Sequence, residues 1–261
     1  KMIRALYTAV TGLITGEAKQ STVTNNIANS NTNGYKAENL SIKSFDDVLI
    51  QNYDKMVNGK NTKNVIGSLS QGSKVDDVNT DFTQGVLQTT DKSTDFAIEG
   101  KGFFTVQSNN GMTTKNYYTR TGDFHVDGSG YLVTDSGDKV LGKNSTTNVV
   151  EPILVGDGKI QSDKYGNISI NGKSQYKFDL VDFKDYNTIK KVGDNLYDGS
   201  NPIQNANVTV RQGSLEKSNV NVTNEMVNMM EIMRNFESNQ KVMQAIDMTL
   251  GKAVNEVGTV K

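Results

Sequence analysis

The sequence predicts an α+β fold. Two terminal helices pair as a coiled-coil-like layer, around a central, mainly antiparallel β domain and an extended arm. Three observations carry this. Apolar residues recur at heptad spacing near both ends. Aromatic and β-branched runs alternate with Gly, Asn and Asp turns through the middle. Between the first helix and the β region lies a polar stretch of weak periodicity. The expected boundaries are 1–35 for the first helical segment, 36–85 for the arm and linker, 86–215 for the β domain and 216–261 for the last helical segment.

The first helix runs from Met2, which reads as the native start, to about residue 29. Ile3, Leu6, Val10 and Leu13, then Gln20, Thr24 and Ile27, recur at steps of three and four, the spacing of a heptad seam. Glu17 falls on the same seam and weakens its second half. The Asn-rich run Asn29-Ser30-Asn31-Thr32-Asn33-Gly34 ends the helix. The apolar stretch after Arg4 is too thin, and lacks the small-residue cleavage site, for a cleavable signal. No window approaches the ~18 apolar residues of a membrane span.

Residues 51–80 are polar, rich in Asn and Lys, and predict an extended or irregular arm. Strands follow at Phe96-Ala97-Ile98, Phe103-Phe104-Thr105-Val106, Tyr117-Tyr118-Thr119, Tyr131-Leu132-Val133, Ile168-Ser169-Ile170 and Tyr176 to Val181. The turns between them are Asn109-Asn110-Gly111, Asp127-Gly128-Ser129-Gly130, Asp135-Ser136-Gly137, Tyr165-Gly166-Asn167 and Asn171-Gly172. Asn and Gly accept positive φ at low cost, which suits hairpins.

The last helix is expected from Thr223 to Val257, about 35 residues or roughly 50 Å. Thr223 or Asn224 would cap it, with Glu225 suiting the positive first turn. Val222, Met229, Phe236, Met243, Leu250 and Val257 stand seven apart. Met226, Met233 and Val254 fill the alternate positions, interrupted by Gln240 and Asp247, while Ile232, Ile246 and Ala253 flank the stripe. Neither terminal helix can bury its stripe on itself. The predicted assembly residues are therefore Leu6, Val10, Leu13 and Ile27 on the first helix, and Met226, Met229, Met233, Phe236, Met243 and Leu250 on the second.

Composition excludes most chemistry. There is no Cys, hence no disulfide, thiolate nucleophile or Cys-ligated metal, and the single His125 rules out sites needing two imidazoles. With 28 Lys+Arg against 29 Asp+Glu, the chain has no general electrostatic footprint for nucleic acid. An apolar share of 35% is low for a compact domain, so apolar groups must be buried against other copies or left exposed. Gly100-Lys101-Gly102 precedes a strand and opens no helix, so it is a turn and not a dinucleotide loop. The segment from Asp123 fails as a calcium loop, with His125 third and Thr134 twelfth. The Met226, Met229, Met230, Met233 cluster sits at helical spacing and reads as packing surface, not as a soft-metal site. No cofactor, metal, catalytic group or small-molecule substrate is expected.

The run Asn25-Asn26-Ile27-Ala28-Asn29, followed by Thr32-Asn33-Gly34-Tyr35-Lys36, resembles the amino-terminal signature of bacterial flagellar rod and hook proteins. Its motif positions are Asn25, Asn26, Ala28, Asn29, Thr32, Gly34, Tyr35 and Lys36. Three further stretches resemble that family: Asp95 to Phe104, Tyr118 to Phe124 continuing through Gly130 to Thr134, and Ser218-Asn219-Val220-Asn221-Val222. Chain length and the single β region resemble a rod protein of the proximal/distal class, nearer the distal one, and not the longer hook protein. The resemblance implies a non-enzymatic subunit of a helical tube. The chain would leave the cell unfolded through the flagellar export apparatus and assemble with itself and with other rod and hook proteins. The terminal helices would line the tube and the β domain would form the outer layer. A different reading, an adhesin-like β module on a helical stalk, needs an anchor that the sequence does not display. An enzyme on a β scaffold needs clustered carboxylates that nothing here singles out.

Overall fold

A computed structural model describes residues 2–57, 60–109, 114–193, 195–204 and 208–257, with side chains for all of these except 2–3, 53–57, 60–62, 109 and 256–257. The chain divides into two compact units, one formed by residues 1–27, 38–79 and 222–261, the other by residues 28–37 and 80–221. The expected α+β architecture is present, with a helix at each end and an antiparallel β domain between. No described helix is long and apolar enough to cross a membrane.

In the first unit, α1 (Met2–Ala28) and α2 (Val222–Lys252) pair. Gly12 of α1 faces Asn239 of α2, while Lys19, Thr22 and Val23 share a groove with Glu225 and Asn228, so the helices run antiparallel. Strands β1 (Glu38–Ser44) and β4 (Ser73–Thr80) pair with each other. The cross-strand contacts Ser41–Asn79 and Lys43–Asp76, and the Phe45 N–H donated to the Gly72 carbonyl, make this pair antiparallel. The Thr15 hydroxyl meets the Ser73 hydroxyl at 3.2 Å and seats α1 on the ribbon.

Between β1 and β4, where the sequence predicts an arm that is extended or irregular, the chain forms a long hairpin. β2 (Val48–Val57) pairs with β3 (Lys60–Leu69) from Val48 opposite Leu69 to Val57 opposite Lys60. Two register shifts interrupt the ladder, and Val48, Leu49, Val65 and Ile66 stand exposed. Among the described side chains of this ribbon none is buried, and a ribbon without a buried face imposes no alternation on its sequence, so period-two patterning is absent although the strands form. The helix boundary also shifts: α2 starts at Val222, so the cap expected at Thr223 or Asn224 falls inside the helix.

The second unit is built on a sheet of thirteen strands among the described residues. In sequence the unit begins with β5 (Leu87–Thr89) and β6 (Phe96–Glu99), which lie outside this sheet, followed by β7 (Phe103–Asn109) and β8 (Thr114–Thr119) within it. β7 is central: it pairs with β8 on one edge, and with Lys139–Asn144 and Leu180–Asp182 on the other. Its alternation explains why Phe103-Phe104-Thr105-Val106 is buried throughout. Phe104 and Val106 enter the main core with Phe96, Phe124 and Phe178, whereas Phe103 enters a smaller cluster with Tyr118, Phe183 and Tyr197. A strand covered on both faces reads as a continuous apolar run. Phe96 and Phe104 meet Phe178 edge-on, with centroids 4.9 and 5.3 Å apart. The expected turns at Asp127–Gly130 and Asp135–Gly137 join antiparallel neighbours, and Asn171-Gly172 turns with both φ positive, +52° and +80°. Asn109-Asn110-Gly111 falls largely outside the described residues.

The last strands of this unit pair with its first. Thr209–Gln212 pairs with β6, Val210 opposite Ile98, and Ser214–Glu216 pairs with β5, Leu215 opposite Gln88. The unit is thus closed by chain segments far apart in sequence.

Candidate assembly surface and a buried ion cluster

Among the described side chains of α1 the buried ones are Ala9, Thr15, Val23 and Asn26. Gly12, Thr15, Gly16 and Lys19 line a groove shared with Ile232, Asn235, Phe236, Ser238 and Asn239 of α2. This face is small and polar by composition. A Cβ at Gly12 would come to 3.0 Å from the Asn239 amide nitrogen, so the absence of side chains lets the helices approach. The residues expected on the seam, Leu6, Val10, Leu13 and Ile27, are half-buried and lie beside this face, while Tyr7 and Ile14 are exposed. The side chain of Ile3 lies outside the described residues.

On α2 the column spaced by sevens is partly turned inward: Met229, Met243 and Leu250 are half-buried and Phe236 lines the groove while remaining partly exposed. The second inward column differs from the expected one. Ile232 is the buried residue of the helix, at 3% exposure, and Glu225 and Asn239 line grooves with α1. Met226 and Met233, expected at these alternate positions, stand 53% and 52% exposed. Steps of three and four from Met229 reach Ile232 as well as Met226 and Met233, so the stripe has two candidate partners, and packing on a small-residue face selects Ile232. The side chain of Val257 lies outside the described residues.

The signature segment after α1 has a different role. Asn26 is buried, donates its amide to the Glu38 carbonyl at 2.9 Å and accepts the Glu38 N–H at 3.0 Å. Its side chain thus pairs with both backbone groups of one residue, as a neighbouring strand would, and pins the start of β1 to the end of α1. Asn25 approaches the Glu38 carboxylate at 3.5 Å, and Ala28 is exposed. The Thr32 hydroxyl meets the Asn29 side-chain oxygen at 3.2 Å, and the Thr32 N–H donates to the Asn29 carbonyl at 3.2 Å, turning the chain. Gly34 follows at φ +69°, where a Cβ would lie 2.6 Å from the Thr121 nitrogen, so both conformation and space demand glycine. Tyr35 is buried, with the Lys191 ammonium 4.2 Å from its ring centre.

Lys36 then enters a cluster of three buried charges. Its ammonium lies 2.6 Å from Glu216 Oε1 and donates to the Thr83 carbonyl at 2.7 Å. Arg120 Nε lies 2.7 Å from Glu216 Oε2, and its other nitrogens reach the carbonyls of Gly100, Gly102 and Ile98. Glu216 Oε1 also accepts the Gly85 N–H at 2.9 Å, and the Glu216 carbonyl accepts the Gly34 N–H at 2.7 Å. Lys36, Arg120 and Glu216 are 1%, 4% and 2% exposed. Burial lowers the Lys36 pKa; Glu216 opposes this and Arg120 adds to it. Beside the cluster, Asn219 accepts the Ala37 N–H at 2.8 Å and donates to the Asp81 carbonyl at 2.8 Å.

All four sequence motifs therefore meet here: Gly34 and Lys36 from the first, Gly100 and Gly102 from the second, Arg120 from the third and Asn219 from the fourth. Glu216, the charge that joins them, stands outside every motif the sequence singled out. Its signal was weak: one acid on a three-residue strand. The cluster is saturated with internal partners and exposes no nucleophile or acid–base pair. The His125 side chain is exposed, on the strand whose Phe124 enters the core, with Nδ1 3.7 Å from the Asp135 carboxylate. Among the described residues no three His, Cys, Asp or Glu side chains gather to hold a metal ion.

Comparison with known families agrees with this geometry. Residues 6–36 match the family described as flagella basal body rod protein, residues 97–175 the flagellar hook protein FlgE/F/G D1 domain, and residues 211–256 the flagellar basal body rod FlgEFG protein C-terminal region. The chain is 30% identical to the flagellar hook-basal body complex protein FlhO of Bacillus subtilis, over 99% of this chain and 100% of that protein. It is 33% identical to the flagellar basal-body rod protein FlgG of Buchnera aphidicola subsp. Schizaphis graminum, over 96% and 98%. It is likewise 33% identical to the flagellar basal-body rod protein FlgF of Caulobacter vibrioides, over 99% and 100%. The chain belongs to the flagellar basal-body rod protein family, whose members are structural parts of the basal body and not enzymes.

Proposed function

We propose that this protein is a subunit of the distal rod, polymerising helically with copies of itself into the shaft that carries torque from motor to hook. The observation that carries this is the state of the terminal helices. Within one chain α2 buries Ile232 alone, while Met226, Met230, Met233, Val242 and Met248 remain exposed, as do Tyr7 and Ile14 on α1. Burying about six to eight such side chains between subunits, at about 1.5–3 kcal/mol each, supplies a gross drive on the order of 10–20 kcal/mol per subunit. Ordering of side chains and lost freedom subtract from it. A head-to-tail contact that does not close extends into a filament.

On this reading Leu6, Val10, Leu13, Ile27, Met226, Met229, Met233, Phe236, Met243 and Leu250 form contacts between copies. Other rod and hook proteins are the neighbours at the two ends, and the chain reaches its place through the flagellar export apparatus. The proximal rod is the second reading, supported by the FlgF relative, which matches at the same identity as the FlgG relative. Imaging basal bodies from a strain lacking this protein tests the assignment. A rod that reaches its distal section and then stops before the hook supports the first reading. A rod missing from its proximal part supports the second, and a complete rod removes both.

A further inference from the structure

Lys36 and Arg120 are two cations withdrawn from water, and among the described residues Glu216 is the one carboxylate in ion-pair contact with either. It lies 180 residues after Lys36 and 96 after Arg120. It ends the last strand of the β unit, Ser214–Glu216, which pairs with β5. The remaining partners of the two cations are the backbone carbonyls of Thr83, Ile98, Gly100 and Gly102. Removing one member of a buried charge cluster leaves the others uncompensated.

We propose that Glu216 is a folding latch: until it is placed, the like charges of Lys36 and Arg120 keep segment 28–37 from docking, and its arrival closes the β unit. The backbone carries the same logic. Glu216 receives the Gly34 N–H on its carbonyl and the Gly85 N–H on its carboxylate, so one residue fastens the early segment and the strand before β5 together. Arg120 also acts on Lys36 through space in the direction that disfavours its charge, and Asp81 offsets this only as a distant charge. Taken with the export reading above, on which this one clause rests, a chain that leaves the cell unfolded stays incompletely folded until the segment carrying Glu216 is also free to fold.

Hydrogen exchange on the full chain tests the latch. In the wild type refolding from denaturant, amides of β7 and β8 gain protection first, and those of Gly34 and Gly85 last. Glu216→Gln speeds exchange at Gly34 and Gly85 at least tenfold and leaves β7 and β8 within about twofold. Adding Lys36→Met, which removes one of the opposed cations, restores most of the lost protection at Gly85. Simultaneous protection of all these amides in the wild type overturns the proposal, and so does a double variant no better than Glu216→Gln alone. Should Glu216→Gln fail to fold, the wild-type order and the double variant still decide. A protein that folds in the expected order but builds no rod upholds the latch and overturns the assembly reading instead.

Discussion

Ile232 provides the sharpest test of how the terminal helices pair. It is 3% exposed, in a groove lined by Gly12, Thr15 and Gly16 of α1, whereas the adjacent Met233 is 52% exposed. Ile232→Ala removes three carbons from a buried site. At about 0.8 kcal/mol per methylene the transfer loss is about 2.4 kcal/mol. The cavity left behind raises the total to about 3–4 kcal/mol, since the small-residue face opposite has little to collapse with. Met233→Ala, at a half-exposed site in the isolated chain, should cost under about 1 kcal/mol. The assay is hydrogen exchange of α2 amides in the monomer, which reports local opening of the helix pair without unfolding the β unit. Ile232→Ala should speed exchange around residue 232 by about a hundredfold or more, and Met233→Ala by less than tenfold. Equal effects at the two sites, or a larger one at Met233, would refute the assignment of Ile232 to the intramolecular face.

Other outcomes follow from the same geometry. Phe236→Asp should abolish filament formation, seen by sedimentation or electron microscopy, while the melting of the β unit stays that of the wild type. Gly34→Ala places a side chain at φ +69° and 2.6 Å from the Thr121 nitrogen. A left-handed residue costs about 1–2 kcal/mol and overpacking about 1–3 kcal/mol, so thermal melting should show a loss of about 2–5 kcal/mol. Burial raises the Asp95 carboxyl, the Thr90 hydroxyl at 2.6 Å pulls it down, and Asp123, bridged to it across the sheet, pushes it up again. A raised folded-state value means the folded chain holds this proton more tightly than the unfolded one. The contribution is therefore full below the ordinary carboxyl value near pH ~4 and lost as pH rises through the folded value. Asp95→Asn should accordingly raise the melting temperature at neutral pH and have a smaller effect near pH ~4, read by calorimetry across that range.

The β unit was legible because its core strands are covered on both faces: Phe103-Phe104-Thr105-Val106 is apolar without interruption, and the Asn-Gly and Asp-Gly turns carry their own backbone preference. The β2–β3 hairpin was hidden for the converse reason, since none of its described side chains is buried and no pattern is imposed. The helices were visible in period and extent, yet the face on which they meet was not. Gly12, Thr15 and Gly16 score as polar or neutral, and their value lies in being small, which a hydrophobic stripe does not reveal. Arg120 and Lys36 stood within recognisable motifs. Their partner Glu216 did not, because a contact spanning 180 residues leaves no local trace.

The outward methionines of α2 give the surface a particular character. Met226, Met230, Met233 and Met248 are unbranched and turn about three side-chain bonds, so the same stripe can refill its contacts against differently shaped neighbours. On the proposed function, a shaft built from one protein joins unlike proteins at its two ends, and a rigid Ile or Phe stripe would fit one of those surfaces at the expense of the other. The compliance of this stripe suits a coupling. It also sets a chemical vulnerability, since oxidation to the sulfoxide makes those side chains polar and, on the same proposal, would weaken the joint.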